Sequence, residues 1–260
     1  MARWLPSAAG LLIALLTASA AAGLAAAQEE PAALPPDPAP RLSEGRRAVV
    51  DGRLEEAELA LRDALDRYRQ RDDRVGVRTA LLELSLVLSD LGRTDEAVTL
   101  LQEALPLADA AADRSAPVVV RVQLAEVQLR AGRLGEALSW ADAALAATVA
   151  SEELGLIGIA GQAYLQVSRS VDDGDAGVRA ALDFVDGRLA EVPGYVSVDQ
   201  LAEAIYELGA QRLARGDAPG AFLAMSGAAR IAEVTGDDVV LADYRFGAGY
   251  AALYLSLIHI

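Results

Sequence analysis

Between residues 41 and 254, apolar positions recur on one face of successive helical stretches, and most of these stretches end at a glycine. Glycine readily adopts the left-handed conformation that terminates a helix. After a short turn a second helix begins with acids near its positive N-terminus, as at Glu55–Glu56 and Asp95–Glu96. The pattern therefore predicts pairs of antiparallel helices.

The pairs are copies of one repeat. Three segments align without gaps and start forty residues apart, and a fourth is weaker but has the same internal spacing: Gly52–Leu65, Gly92–Leu105, Gly132–Leu145 and Gly216–Ala229. A degenerate copy is expected to open at Gly174-Asp175-Ala176 and to run to about Leu189.

Alanine follows the turn glycine at fixed distances, as at Ala57 and Ala64. A methyl group lets two helices approach closely, and a larger side chain there would push the backbones apart. One pair cannot bury its own apolar faces, so the pairs are expected to stack into a solenoid.

These residues resemble the tetratricopeptide repeat. Four copies have the family's turn glycine and two alanines, Leu208-Gly209 matches its first-helix pair, and Gly45 fills that glycine position in the first unit. The departures are few aromatic residues at the family's aromatic positions and a period longer than usual, which longer helices would explain. The resemblance implies an all-α fold, a right-handed superhelical α-solenoid of stacked antiparallel helix pairs.

The resemblance covers residues 41–254, with about five pairs plus the first helix of a truncated sixth. That last helix is expected from Asp237 to Tyr254, and its next turn glycine would fall near residue 256. Its uncovered apolar face would allow self-association.

The family's first helices line a groove that binds partners. Projected onto this chain, the groove positions are Arg46, Thr79, Leu82, Leu86, Ser89, Glu126, Arg130, Tyr164, Tyr206, Phe246 and Tyr250. Their aliphatic and aromatic character suits an extended peptide or a helix held by apolar anchors. Packing of several of these residues between neighbouring helices is the alternative. Lys, which clamps terminal carboxylates in chaperone-tail readers of this family, does not occur in the chain.

Both termini read as separate segments. Residues 1–27 have the basic start, short apolar middle and small residues of a cleaved signal peptide, with an uncleaved anchor as the alternative. Residues 28–40 form a proline-rich linker. Residues 255–260 match a translated sequencing adapter, with a genuine apolar C-terminus as the alternative, and they contain the only histidine, His259.

The composition argues against several classes of binding partner and of functional site. The net charge is −15, from 38 acids against 23 cations that are all Arg, so nucleic acid is not expected as a partner. The Arg-rich, Lys-free composition is typical of a GC-rich bacterial genome. The chain has no Cys, which excludes disulfides, thiolate metal sites and a Cys nucleophile.

No catalytic, cofactor-binding or metal-binding residue stands out. Without an authentic His or Cys, the common bases and nucleophilic pairs are missing. The glycines Gly155, Gly158 and Gly161 share one side of a helix, which favours close helix packing over a phosphate site. Asp172–Asp175 lacks the spacing of a calcium loop.

Three functions remain open. The first is a non-catalytic scaffold or adaptor, periplasmic or secreted, that holds a partner peptide or helix and has no membrane span after signal cleavage. The second is the sensory repeat region of a truncated enzyme, for example one with a C-terminal caspase-like module. The third is a cell-envelope protein that self-associates through its open end. The first is the preferred hypothesis.

Overall fold

The computed structural model of the protein describes residues 36–170, 175–192 and 195–258. Regular structure in these ranges is helical, without strands, as predicted for the fold class. The helices in the described residues are α1 Ala39–Val50, α2 Leu54–Gln70, α3 Arg74–Asp90, α4 Thr94–Asp109, α5 Ala116–Arg130, α6 Leu134–Ser151, α7 Ile157–Ser168, α8 Asp175–Asp186, α9 Val196–Ala214, α10 Ala218–Thr235 and α11 Asp238–Ile258. A 3₁₀ turn, Leu154–Leu156, precedes α7.

Several predictions fall outside the described residues. These are the signal segment 1–27, residues 28–35 of the proline-rich linker, Asp172–Gly174 and His259. The string from Leu255 continues α11 for a further turn, and its origin as an adapter stays a prediction. Among the described helices, none is long and apolar enough to span a lipid bilayer.

The predicted turn glycines end helices in the left-handed conformation. Gly52, Gly92, Gly132 and Gly216 have φ angles of 74°, 78°, 73° and 86°. At the end of α1, the Arg53 N–H donates to the Ala48 carbonyl at 2.8 Å and the Gly52 N–H donates to Val49 at 3.0 Å. This pair of bonds satisfies carbonyls that the helix end leaves open, and a side chain at Gly52 would strain the backbone.

The chain divides into two compact units, one ending at Asp90 and the other beginning at Leu91. The first contains α1, α2 and α3. Ala57 and Ala64 of α2 are fully buried, and Gly45 of α1 packs on Leu61 so closely that a Cβ would lie 2.7 Å from its Cγ. The close approach of α1 and α2 therefore depends on small residues.

The second unit contains α4 to α11 and the largest hydrophobic core, which runs from Val118 to Tyr244. The pairs α5/α6 and α9/α10 have the same small contacts as the first unit, since Ala137, Ala144, Ala221 and Ala228 are fully buried. The helix α8 ends at Asp186, three residues before the boundary that the degenerate copy predicted.

Two glycines of α7, Gly158 and Gly161, fit the packing that the sequence predicts. A Cβ at Gly158 would lie 2.5 Å from the Ser197 carbonyl oxygen at the start of α9, and Gly161 packs equally tightly against Leu201. Gly155 was expected on the same helix, but it lies in the 3₁₀ turn before α7, and a Cβ there would be 3.7 Å from the nearest side chain. Because α7 and α9 meet backbone to backbone, the first helices of neighbouring pairs form a common surface in this unit.

Candidate functional site

A cleft opens between α9 and α11 in the second unit. It has a volume of about 930 Å³, and the end of α10 closes it on one side. Six carboxylate residues line it: Asp199, Glu203, Glu207, Asp237, Asp238 and Asp243. The first three are spaced by four residues, which places them on one face of α9, and Asp237 and Asp238 sit at the positive N-terminus of α11.

A stacked pair of tyrosines lies beside these acids. The rings of Tyr206 and Tyr244 are 4.4 Å apart between centroids and inclined by 20°. The Tyr206 hydroxyl donates to the Asp243 carbonyl at 3.4 Å. Gly247 makes room for this ring, because a Cβ there would lie 2.6 Å from the Tyr206 hydroxyl oxygen. The pair gives the cleft a flat aromatic surface with a fixed orientation.

The negative field of the cleft acts on the buried phenol. Burial raises the pKa of Tyr244 to about 12, and the charge of Glu203 adds to the rise. An ionised phenolate would be poorly solvated there and would be repelled by the neighbouring carboxylates. A tyrosine is neutral at physiological pH in any case, and both effects move the ionisation of Tyr244 further above that range.

Most of the cleft's carboxylates lack a cationic partner. Glu207 forms an ion pair with Arg169, whose Nη2 lies 2.7 Å away, but for the other five the described part of the chain shows no ion pair. Acids elsewhere are commonly paired. Asp63, for example, lies 2.6 Å from Arg41 and 2.8 Å from Arg67. Asp237 accepts hydrogen bonds from the backbone N–H groups of Val239 and Val240 at 3.1 Å, so its charge is partly compensated by the helix end. The cleft as a whole keeps a net negative charge.

A second cavity of about 420 Å³ adjoins the cleft between α7 and α9. Gln200, Glu203 and Glu207 line both cavities. The second cavity adds Gln162, Gln166 and Arg169. Together the two cavities make one polar surface across α7, α9 and α11, with amide groups at one end and unpaired carboxylates with the tyrosine pair at the other.

The first unit contains a buried ion pair between α1 and α3. Arg46 donates from Nε and Nη2 to Oε1 of Glu83 at 2.8 Å and 2.5 Å. The Glu83 side chain is only 7% exposed. Burial raises the pKa of this carboxyl, and Arg46 offsets part of the rise. The predicted groove residue Arg46 thus neutralises a buried acid.

The other predicted groove residues of the first unit are less accessible than expected. Leu82 and Ser89 are buried, and Thr79 and Leu86 are half-buried. The Thr79 hydroxyl donates to the Val75 carbonyl at 3.0 Å within its own helix. Because α3 packs against both α1 and α2, part of the projected groove becomes core.

The predicted residues of the second unit divide into four groups. Tyr164 is buried, and its ring packs on Gly177. On α5, Glu126 is half-buried and Arg130 is exposed. Burial raises the pKa of Glu126, and the charge of Arg130 offsets part of this rise. Tyr206 lies in the cleft. Phe246 and Tyr250 lie on an exposed face of α11 that does not line the cleft.

The sequence reasoning missed the acids and Tyr244. It described the groove positions as aliphatic and aromatic, whereas the cleft lining contains six carboxylates. The four-residue spacing of Asp199, Glu203 and Glu207 was a usable signal, because it places three like charges on one helix face without cations between them. The described residues contain no group of acids close enough to hold a metal ion.

Comparisons with known proteins agree with this fold. The family model described as tetratricopeptide repeat matches residues 49–110 and 76–148. No curated protein matches the chain significantly in sequence.

Solved structures with this arrangement of helices share little sequence with the chain. BtubC (BKLC) from P. vanneervenii is 16% identical with a TM-score of 0.50, over 87% of this chain and 85% of that one. Aspartyl phosphate phosphatase F from Bacillus subtilis is 14% identical with a TM-score of 0.55, over 97% of this chain but only 64% of its own length. TPR-like repeats named as those of a kinesin light chain from Podosopora anserina are 16% identical with a TM-score of 0.50, over 76% of this chain and 95% of theirs. These likenesses concern the fold alone.

Proposed function

Because residues 49–110 and 76–148 match the tetratricopeptide-repeat family model, we propose that the chain is a non-catalytic scaffold whose second unit binds a cationic segment of another protein in the cleft between α9 and α11. The fold is typical of protein–protein interaction scaffolds. The observation that supports this partner is the set of five carboxylates that form no ion pair within the described residues and lie beside the stacked Tyr206–Tyr244 pair.

The charges select the sign of the partner. A cleft with walls of low dielectric concentrates the field of its carboxylates, which raises the association rate of a cationic ligand. An exposed ion pair contributes only about 0.2–1 kcal/mol, so several pairs must form together for useful affinity. An acidic segment would be repelled both by the cleft and by the net charge of −15.

The tyrosines offer a cationic segment a second kind of interaction in addition to the attraction between charges. Aromatic rings attract Lys and Arg side chains through their π faces and also bury apolar stems. Tyr206 is half-buried, so one part of it remains accessible from the cleft. The amide groups of Gln162 and Gln166 in the adjoining cavity can bond to the backbone of an extended segment.

The test uses two fluorescein-labelled peptides, one of three Lys-Leu-Ala triplets and one of three Glu-Leu-Ala triplets. The lysine peptide should bind in fluorescence anisotropy, with an affinity that falls as salt rises, and the glutamate peptide should not bind. The double substitution Glu203→Gln with Asp243→Asn should weaken binding of the lysine peptide at least about tenfold.

The matched control is Glu136→Gln with Asp183→Asn. It removes the same two charges from exposed positions of the second unit that do not line the cleft. Equal loss of binding in both double variants would mean that net charge, and not the cleft, attracts the peptide. That outcome would refute the proposed site.

We further propose that the protein acts outside the cytoplasm. The basic start and apolar middle of residues 1–27, followed by Ala25-Ala26-Ala27, support this location. Expression of the full chain in a bacterium, followed by fractionation and N-terminal sequencing, should yield a periplasmic or secreted protein that begins at Gln28. A cytoplasmic product that retains residues 1–27 would refute export.

A further inference from the structure

The hydroxyl of Tyr244 has no hydrogen-bond partner among the described residues. Tyr244 is only 8% exposed, and it lines the cleft between α9 and α11. A hydroxyl that is taken out of water without a partner costs free energy, so most buried hydroxyls are bonded. Tyr206 shows the usual arrangement, because its hydroxyl donates to the Asp243 carbonyl. The hydroxyl of Tyr244 is therefore left for a group that enters the cleft.

Carboxylates act on this hydroxyl without forming a hydrogen bond to it. Burial is the largest cause of the raised pKa of Tyr244, and the charges of Glu203, Asp199 and Asp237 add to the rise. Within the described part of the chain, none of these three acids forms an ion pair. A ligand group that reaches the hydroxyl therefore enters a negative field, which favours a cation.

The stacked rings supply a flat surface next to the hydroxyl. The centroids of Tyr206 and Tyr244 are 4.4 Å apart, and their planes are inclined by 20°. Gly247 packs at the hydroxyl end of Tyr206, where a Cβ would lie 2.6 Å from the oxygen. These contacts fix the orientation of the Tyr206 ring, which is half-buried and lines the cleft. A planar cation can stack on a ring that is held in this way.

The two cationic side chains would use these groups differently. The lysine ammonium is a compact and strongly hydrated charge, so it gives up more hydration when it enters a cleft. The arginine guanidinium is planar and less strongly hydrated, and it has five N–H donors in a fixed arrangement. One guanidinium can therefore stack on an aromatic ring while it donates to a hydroxyl and to a carboxylate.

On the basis of the proposed function, we propose that the cationic segment is anchored by an arginine whose guanidinium stacks on Tyr206 and donates to the Tyr244 hydroxyl. Glu203 accepts further N–H groups of the same guanidinium, since its charge acts on that hydroxyl and it lines both cavities. The backbone of the segment then follows Gln162 and Gln166 in the adjoining cavity. The cleft therefore selects arginine over lysine, which attraction between charges alone would not do.

The experiment compares three fluorescein-labelled peptides of equal length and charge by fluorescence anisotropy. They contain three Arg-Leu-Ala triplets, three Lys-Leu-Ala triplets, or three Arg-Leu-Ala triplets in which each arginine is asymmetrically dimethylated. The arginine peptide should bind the parent protein at least about fivefold more tightly than the lysine peptide. Dimethylation keeps the charge but blocks bidentate hydrogen bonding, so it should remove most of this preference.

The variant that tests the hydroxyl is Tyr244→Phe, which keeps the ring and breaks no hydrogen bond of the described residues. It should lower the ratio of arginine affinity to lysine affinity at least about threefold. The matched control is Tyr195→Phe, which should keep the ratio of the parent because Tyr195 is exposed and does not line the cleft. Far-ultraviolet circular dichroism checks that both variants fold. If Tyr244→Phe does not fold, the dimethylated peptide still decides, since it is measured on the parent protein.

Equal affinities of the parent protein for the arginine and lysine peptides would overturn the arginine anchor and leave the proposed function standing. An arginine preference that survives Tyr244→Phe or dimethylation unchanged would also overturn the anchor, because the preference would then arise from other contacts. Binding of neither cationic peptide would refute the proposed function of the cleft, and the anchor with it. Failure of the anchor is thus distinguishable from failure of the cleft.

Discussion

Replacing Gly209 with alanine should destabilise the protein, although alanine is the better helix former. Gly209 lies inside α9 where α10 crosses it. A new Cβ would stand 3.2 Å from both the Ala221 carbonyl oxygen and the Ala224 Cβ, and 2.8 Å from Met225 Cγ. The methionine can move, but the backbone oxygen of α10 can move only if the whole helix shifts.

The expected size follows from two opposing effects. Alanine in place of glycine inside a helix gains about 1 kcal/mol, while an extra carbon in a tightly packed contact costs about 1–3 kcal/mol. The net loss for Gly209→Ala is therefore about 1 kcal/mol. Gly249→Ala, at the same repeat position of α11, meets no neighbour and should keep the gain of up to about 1 kcal/mol.

The assay is thermal unfolding of both variants by far-ultraviolet circular dichroism. A change of 1 kcal/mol corresponds to about 2–4 °C in a chain of this size, so Tm should fall for Gly209→Ala and rise for Gly249→Ala by amounts of this order. Urea unfolding at low temperature checks the sign independently of heat capacity. If Gly209→Ala raises Tm as much as Gly249→Ala does, the glycine does not serve close helix approach and the reasoning is wrong.

Three further predictions concern buried side chains. Ala64→Leu in α2 should cost about 1–3 kcal/mol in urea unfolding because the alanine is fully buried, whereas Leu59→Ala, at a position 72% exposed, should change stability by less than about 0.5 kcal/mol. Burial raises the pKa of Glu83 despite Arg46, so the folded state binds this proton more tightly than the unfolded chain does. The contribution of Glu83 to stability should therefore grow as pH falls through its pKa in the folded state, and it should level off below its pKa in the unfolded chain. In urea unfolding across acidic pH, the Glu83→Gln variant should lose this pH dependence of stability. A spectrophotometric titration should show one tyrosine with a pKa of about 12, and this titration step should disappear in the Tyr244→Phe variant. Because the pKa of Tyr244 in the folded state exceeds the unfolded value near 10, the stability of the protein should fall as pH rises between these two values.

Much of the fold follows from local patterns that one sequence contains. The turn glycines determine where helices end because their positive φ is unfavourable for other residues. The alanines at fixed distances after them mark the close contacts, and the structure confirms that Ala57, Ala64, Ala221 and Ala228 are fully buried. These are short-range or periodic features, so they can be recognised in the sequence without knowing how the helix pairs stack.

The binding surface was less predictable because it combines residues from several helices. Tyr206 was expected in a groove, but its partner Tyr244 lies 38 residues away and reaches it only when α11 stacks on α9. Arg46 was assigned to the groove as well, and only the packing of α3 reveals that its charge serves Glu83. Residue type shows which contacts a side chain can form, but it does not show whether a neighbouring residue in the fold already makes those contacts.

The sequence alone therefore determined the unit of construction: a glycine-terminated helix, a short turn and an alanine-marked partner, repeated at a forty-residue period. The tertiary structure decided which carboxylates stay unpaired, which predicted groove residues become core, and that Gly249 faces open space while Gly209 is covered. The physical reason is that helix ends and small contact positions depend on backbone geometry within one repeat, whereas exposure and charge compensation depend on what the neighbouring helices bring into contact.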